Sequence, residues 1–310
     1  MKKLHYILGL CFAFAWQSCL EPVDLDLPAG KSKLVVVSNF TNSRAFEVIV
    51  TETNQSTDDE NDSEVFVNNA TVTISTGDSE LETLMYVPKN PESSYPKYVT
   101  RNVVADIGVV YEITVSAPGF EPVTSFGFIP EPTSINSASA NKMVSGSLQE
   151  NKRIWVSLEI SDPGGVDNFY HLNIYQRALI SEISENGTFE SEKIIGPLQM
   201  FNVDENMPVT AYINNRGMLI KDEFFDGRKR KFFFEVVLDQ IFSEEVPNDI
   251  LIELRTVSRE YYLYYLTLKR QADKNDLPLS DPTLNFTNIE NGLGIFAGFS
   301  SAIDTIYLPR

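Results

Sequence analysis

Thiols and imidazoles are nearly missing from this chain. Its 310 residues include two cysteines and two histidines, and one of each, Cys11 and His5, falls in the first eighteen. If that segment is removed, Cys19 and His171 stand alone. One cysteine cannot close an internal disulfide, and one histidine cannot supply a two-histidine metal site. Any Ser–His–Asp triad would have to use His171. Long apolar runs are absent too: the longest, Ile7 to Trp16, is half of the ~20 residues that span a bilayer. Basic charge is scarce, with 25 Lys and Arg against 43 Asp and Glu and a net charge of −18. Such a field repels nucleic acid and anionic lipid surfaces, so neither is expected as a partner.

What the first residues do contain is a leader. Lys2 and Lys3 precede the apolar run, and small residues (Ala13, Ala15, Ser18) lead up to Cys19, the layout of a secretory signal over residues 1–18. "WQSC" resembles the lipobox of bacterial lipoproteins, with Trp16 where Leu is usual. The resemblance implies that Cys19 becomes the lipidated first residue; an ordinary signal with an incidental cysteine is the alternative. Residues 19–32, "CLEPVDLDLPAGKS", hold two prolines, a glycine and three acids with no helical period, and read as an extended tether. The acids after Cys19 resemble export signals of surface lipoproteins. Acyl chains buried at about 0.8 kcal/mol per CH2 would anchor the chain durably. The remaining chain is expected not to be an integral membrane protein.

Beyond the tether the period is mostly two, which means strands. "KLVVVSNF", "AFEVIVTET", "ATVTIS" and "VYEITVSA" predict a first sandwich over 33–132, Ig-like or similar to carboxypeptidase regulatory domains. The acidic run "STDDENDSE" lacks the glycine and the distal glutamate of a calcium loop and reads as a solvated tip. "IPEPTSINS" marks a boundary, and 133–310 is expected to form a second, larger sandwich. There "RIWVSLEISDPGG" turns Ile154, Val156, Leu158 and Ile160 inward and Trp155, Ser157 and Glu159 outward. "FYHLNIYQ" places His171 on the more polar strand face. That suits a solvated or hydrogen-bonded histidine better than a catalytic one. "DGRKRK" reads as a solvated hairpin tip rather than a phosphate site. The fold class is therefore all-β, two sandwiches, with one helix.

That helix is predicted at about 258–273. Tyr261, Tyr264, Tyr265 and Leu268 form an amphipathic stripe, Ser258 suits the N-cap, and Lys269 and Arg270 suit the last turn. The stripe is expected to pack as core, which leaves the off-stripe Tyr262 as the candidate ligand-binding ring. Gly292, Gly294 and Gly298 lack dinucleotide spacing and suit a final strand that another backbone approaches closely.

The start "CLEPVDLDLP", the strand "KLVVVSNFTN" and the C-terminal "DPTLNFTNIENGLGIFAGF" together resemble a Bacteroidota family of outer-membrane lipoproteins known only as a domain of unknown function. Its members accompany TonB-dependent receptors. The resemblance implies lipidation at Cys19, residence at the outer membrane and a receptor partner; it carries no catalytic residues, metal or cofactor. Three functions compete. A non-enzymatic binding or accessory lipoprotein leads, and a receptor scaffold with no ligand of its own follows. A carboxylate hydrolase with two acids roughly 5 to 9.5 Å apart in a cleft is third. Exposed rings in a concave site would favour a ligand, and a broad apolar patch a protein partner.

Overall fold

Alternation of apolar and polar residues builds most of this molecule. Residues 31–53, 64–91, 93–142, 153–184, 187–204, 209–239, 248–275 and 284–307 are described by the computed structural model. Cys19, the tether up to residue 30 and residues 56–63 of the acidic run lie outside them. In chain order the first strands are β1 (Leu34–Phe40), β2 (Ala45–Glu52), β3 (Val65–Phe66), β4 (Thr71–Thr76), β5 (Ser79–Thr83), β6 (Met85–Val87), β7 (Lys97–Val104), β8 (Val110–Ser116) and β9 (Val123–Phe128). After them come β10 (Ile135–Lys142), β11 (Arg153–Ser161), β12 (Phe169–Ser184), β13 (Gly187–Ile195), β14 (Gln199–Asn202), β15 (Val209–Ala211), β16 (Met218–Lys221), β17 (Lys229–Val237) and β18 (Asn248–Val257). Helix α1 (Arg259–Asn275) and β19 (Leu293–Tyr307) complete the described elements. The all-β class is as expected.

The strands form one long sheet and two short ones. The eleven-stranded sheet runs β15-β16-β12-β18-β19-β1-β2-β7-β6, with β13 beside β12 and β3 beside β2. The four-stranded sheets run β10-β11-β17-β14 and β5-β4-β8-β9. Val36, Phe40, Phe46, Val72, Ile113 and Phe296 belong to the first core. Ile154, Leu158, Tyr170, Leu172, Phe232, Phe234 and Ile252 belong to the second. Even-numbered residues of β19 serve both: Phe296 enters the first core and Ile306 packs on the second. Both short sheets therefore cover the same face of the long one. The odd-numbered Ile295, Ala297 and Phe299 point to the opposite face, where they meet Tyr261 of α1. Ser32–Arg310 is a single compact unit, and β19 contributes to both cores.

The helix begins where its cap predicts. Ser258 Oγ accepts from the Tyr261 N–H at 3.3 Å, a bond that serves one of the amides left unpaired at a helix start. No helix among the described residues is long and apolar enough to cross a membrane.

The joint between first and last strands is a parallel pairing, Val35 with Leu293 through Phe40 with Gly298. The late glycines make it possible. Gly294 sits at φ +109°, and a Cβ there would lie 2.0 Å from Val36 O; Gly298 likewise meets Phe128 O at 2.3 Å. Replacing Gly294 by alanine imposes both a backbone strain of about 1–3 kcal/mol and a collision with β1. Gly294→Ala is therefore expected to lower unfolding free energy by about 3 kcal/mol or more in urea titration. A change within about 0.5 kcal/mol would show that the two strands do not meet in this way.

Candidate functional site

Three places concentrate chemistry. The first is the layer between α1 and the long sheet. Odd-numbered residues of β12 and β18 face it, which brings His171 and Asn173 beside Glu253 and Arg255 through the pairs His171–Arg255 and Asn173–Glu253. His171 does lie on the more polar strand face, but that face is not solvated: the residue is 5% exposed. Helix α1 covers it, and its Nδ1 lies 2.9 Å from Tyr261 Oη. Arg255 Nη1 donates to the same phenol oxygen at 3.4 Å. The phenol proton is then directed to Nδ1, which assigns the imidazole proton to Nε2. Among the described residues that Nε2 has no partner, and neither has Asn173 Nδ2.

Electrostatics lock this arrangement. Burial, helped by the Arg255 charge, pushes His171 down from 6.5 to about 3. Burial also pushes the Tyr261 hydroxyl up, against the pull of Arg255. For Glu253 burial acts upward, but hydrogen bonding and charge from Arg255, with the Ser301 and Tyr175 hydroxyls, outweigh it and hold the carboxyl below its usual range. Arg255 Nη2 and Glu253 Oε2 are 2.9 Å apart. Rings of Tyr212, Tyr261 and Tyr265 surround His171, with centroids 5.6, 5.8 and 6.1 Å away. A neutral, enclosed imidazole is poorly placed to relay protons to solvent, and His171, the one histidine among the described residues, packs under the helix. Tyr262 sits on the same helix, half-buried, its ring centroid 5.0 Å from that of Phe169.

The second place is a knot of carboxylates. Oxygen atoms of Asp162, Asp222 and Asp226 all lie within 4.8 Å of one another. Burial pushes Asp162 up, although bonds from Tyr170 and Gly227 oppose it. Three such oxygens could serve a hard cation, and a raised acid beside another is what a hydrolase would use. These acids are otherwise employed. Asp162 accepts from the Tyr170 hydroxyl and, at 3.0 Å, from Gly227 N–H. Asp222 accepts from Asn168 N–H at 2.8 Å, and Asp226 from Gly165 N–H at 2.9 Å. They tie the "DPGG" turn to the turn before β17. With Asp162 and Asp222 buried, no sugar ring could lie between them.

The third place is the outer surface of the short sheets. On the β10-β11-β17-β14 sheet, Trp155, Phe201 and Phe233 are 38%, 37% and 45% exposed. Register sets their pattern. Asn141 pairs with Trp155, Trp155 with Glu235 and Glu235 with Phe201; in the next row Ser139 pairs with Ser157 and Ser157 with Phe233. Each ring thus has polar neighbours across the strands. Arg153 binds Glu235, and Lys231 Nζ stands 5.3 Å over Phe233. The basic run is not a free hairpin tip: Lys229, Arg230 and Lys231 already belong to β17, and Arg230 reaches Asp204 at 3.2 Å. The other short sheet exposes a different surface. Val110 pairs with Phe128 while Phe126 pairs with Glu112, giving an apolar patch of Val110, Phe126 and Phe128. A shallow groove of about 200 Å³ between Leu198, Gln199, Arg216 and Leu238 falls below the usual ligand-pocket range, which starts near ~300 Å³.

The fold and these surfaces define an all-β protein in which a shared long sheet carries two short ones. The chain belongs to the family described as "Domain of unknown function (DUF4249)", whose model matches residues 20–304. No curated protein matches it. Among solved structures it is similar to "Biofilm associated protein - B domain", at 7% identity over 88% of this chain and 85% of that one, TM-score 0.19. It is also similar to a structure described as manganese lipoxygenase of Gaeumannomyces graminis with part of zonadhesin of Komagataella pastoris. There the identity is 11% over 73% of this chain and 89% of that one, TM-score 0.18. Scores of that size fix neither fold nor function.

The outward direction of Trp155 was readable from alternation, whereas its neighbours Phe233 and Phe201 depend on register that no local pattern encodes. The enclosure of His171 has a measurable consequence. Its folded value of about 3 lies below the ordinary 6.5, so on acidification the unfolded chain binds a proton before the folded one does. Its stabilisation is full above pH ~6.5 and is lost as pH falls toward ~3, with about 2 kcal/mol gone by pH 5. His171→Gln is expected to flatten the stability profile between pH ~7 and ~5, a window above most carboxylate titration. An unchanged slope in urea titrations would mean that His171 is not held neutral.

Proposed function

We propose that this protein is a lipid-anchored, non-enzymatic binding component of a TonB-dependent uptake system at the bacterial outer membrane, attached through Cys19. The observation that carries the reading is the sheet face with Trp155, Phe201 and Phe233 exposed among polar side chains. Rings held out in water on a well-packed sheet are suited to contact and serve no purpose in the core. The locked His171 and the committed Asp162 knot also favour binding over hydrolysis.

An accessory role beside a receptor draws support from the second surface. Val110, Phe126 and Phe128 are apolar neighbours, 53%, 60% and 40% exposed, on a sheet distant in sequence from the Trp155 face. A contiguous apolar patch of this kind suits a protein contact. The two surfaces divide the work: the ring-and-polar face takes the ligand, and the apolar patch meets the receptor. The scaffold alternative keeps only the second.

Affinity isolation from membranes, with a C-terminal tag and mild detergent, tests this. The wild-type protein is expected to bring down a TonB-dependent receptor in near-equal amount. Cys19→Ala should leave the membrane fraction, and Phe126→Ser with Phe128→Ser should stay lipidated but lose the receptor. A lipidated wild-type protein that comes down alone would sink the uptake reading.

A further inference from the structure

Resting on the reading of the Trp155 face as a ligand surface, we infer that its ligand is an extended, uncharged saccharide chain. The spacing of the rings is the first support. Trp155 on β11 and Phe201 on β14 stand in one row, separated by the single strand β17. Strands lie about 4.8 Å apart, so the two rings are about 10 Å apart across the sheet. Phe233 sits in the adjacent row on the strand between them. Such a staggered strip suits a chain of pyranose rings laid across the strands, with their C–H faces against the exposed rings.

The polar groups fit the edges of such rings. Glu235 and Arg153 lie beside Trp155, and Asn141 is across from it. Ser157 lies across from Phe233, and Ser139, its hydroxyl 2.8 Å from that of Ser157, is one strand further on. Together they offer donors and acceptors at the level where equatorial hydroxyls project, whereas an apolar protein partner would leave them unpaired.

Charge selects among saccharides. Arg153 pairs with Glu235, Lys231 stands over Phe233 with Glu159 opposite it in the register, and Lys229 lies beyond the rings across from Ser161. A locally compensated strip on a chain of net charge −18 is complementary to a neutral partner and repels a polyanionic one.

The mature lipoprotein in a sugar-free detergent carries its own reporter, because without the leader and Trp16 its one tryptophan is Trp155. The probes are cellohexaose, xylohexaose and mannohexaose, with hexagalacturonate as the charged comparator and a casein hydrolysate as the peptide comparator. At least one neutral hexasaccharide is expected to shift Trp155 emission saturably at or below about 1 mM. Phe201→Ala and Phe233→Ala keep the tryptophan and remove only exposed rings; each is expected to weaken binding about tenfold, with circular dichroism confirming an intact fold. No response to any neutral probe overturns the inference, as does preference for hexagalacturonate or a response to peptides alone. Undiminished binding in both phenylalanine variants overturns the assigned face. Because no receptor is present, failure here leaves receptor co-purification standing, and failure of co-purification leaves this result standing.

Discussion

The parallel pairing of β1 with β19 is the constraint on which the rest depends. It joins the beginning of the described chain to its end, so nearly every other element is enclosed within one crossover. Parallel partners need a long connection, and here that connection contains two short sheets and a helix. Closing such a loop costs chain entropy that only late, long-range contacts repay. Phe296 completes the first core, Ile306 packs on the second and Phe299 meets the helix. Loss of β19 would therefore open all three clusters together. The two sandwiches are coupled through one strand, and that coupling is why Ser32–Arg310 holds as one unit.

Much of this was legible locally, and what was not shares a single cause. The alternation in "RIWVSLEIS", the cap at Ser258 and the tyrosine stripe of α1 each express a rule that acts within a few residues. The glycines of "NGLGIFAG" announced a close backbone approach. Their partners, Val36 and Phe128, lie far away in sequence, and nothing local names them. His171 followed the same logic. Its strand face was readable, but the helix that covers it arrives about ninety residues later (Tyr261 bonds it across a separation of 90). Period two tells which face a residue takes; it cannot tell what will cover that face.

The polar layer under α1 shows what such covering costs. Buried donors on His171 and Asn173 lack partners among the described residues, a cost of about 1–3 kcal/mol each where none is supplied. In return the layer holds the helix through Tyr261 and through the bond between Asn39 and Tyr265, which links α1 to β1. His171 thereby helps to position a helix over the β1–β19 joint.

The alternation that builds the second core also makes its outer face. Ile154, Val156 and Leu158 point inward from β11, and Phe232 and Phe234 do the same from β17. Packing on that side fixes the backbone, and with it the direction of Trp155 and Phe233 on the other. A slip of one residue would bury Trp155 and expose Val156, exchanging the whole inner row for the outer one. The register that secures the core therefore also presets the spacing of the rings. A surface preset in this way need not order itself on contact, which would remove one of the main costs of binding to it.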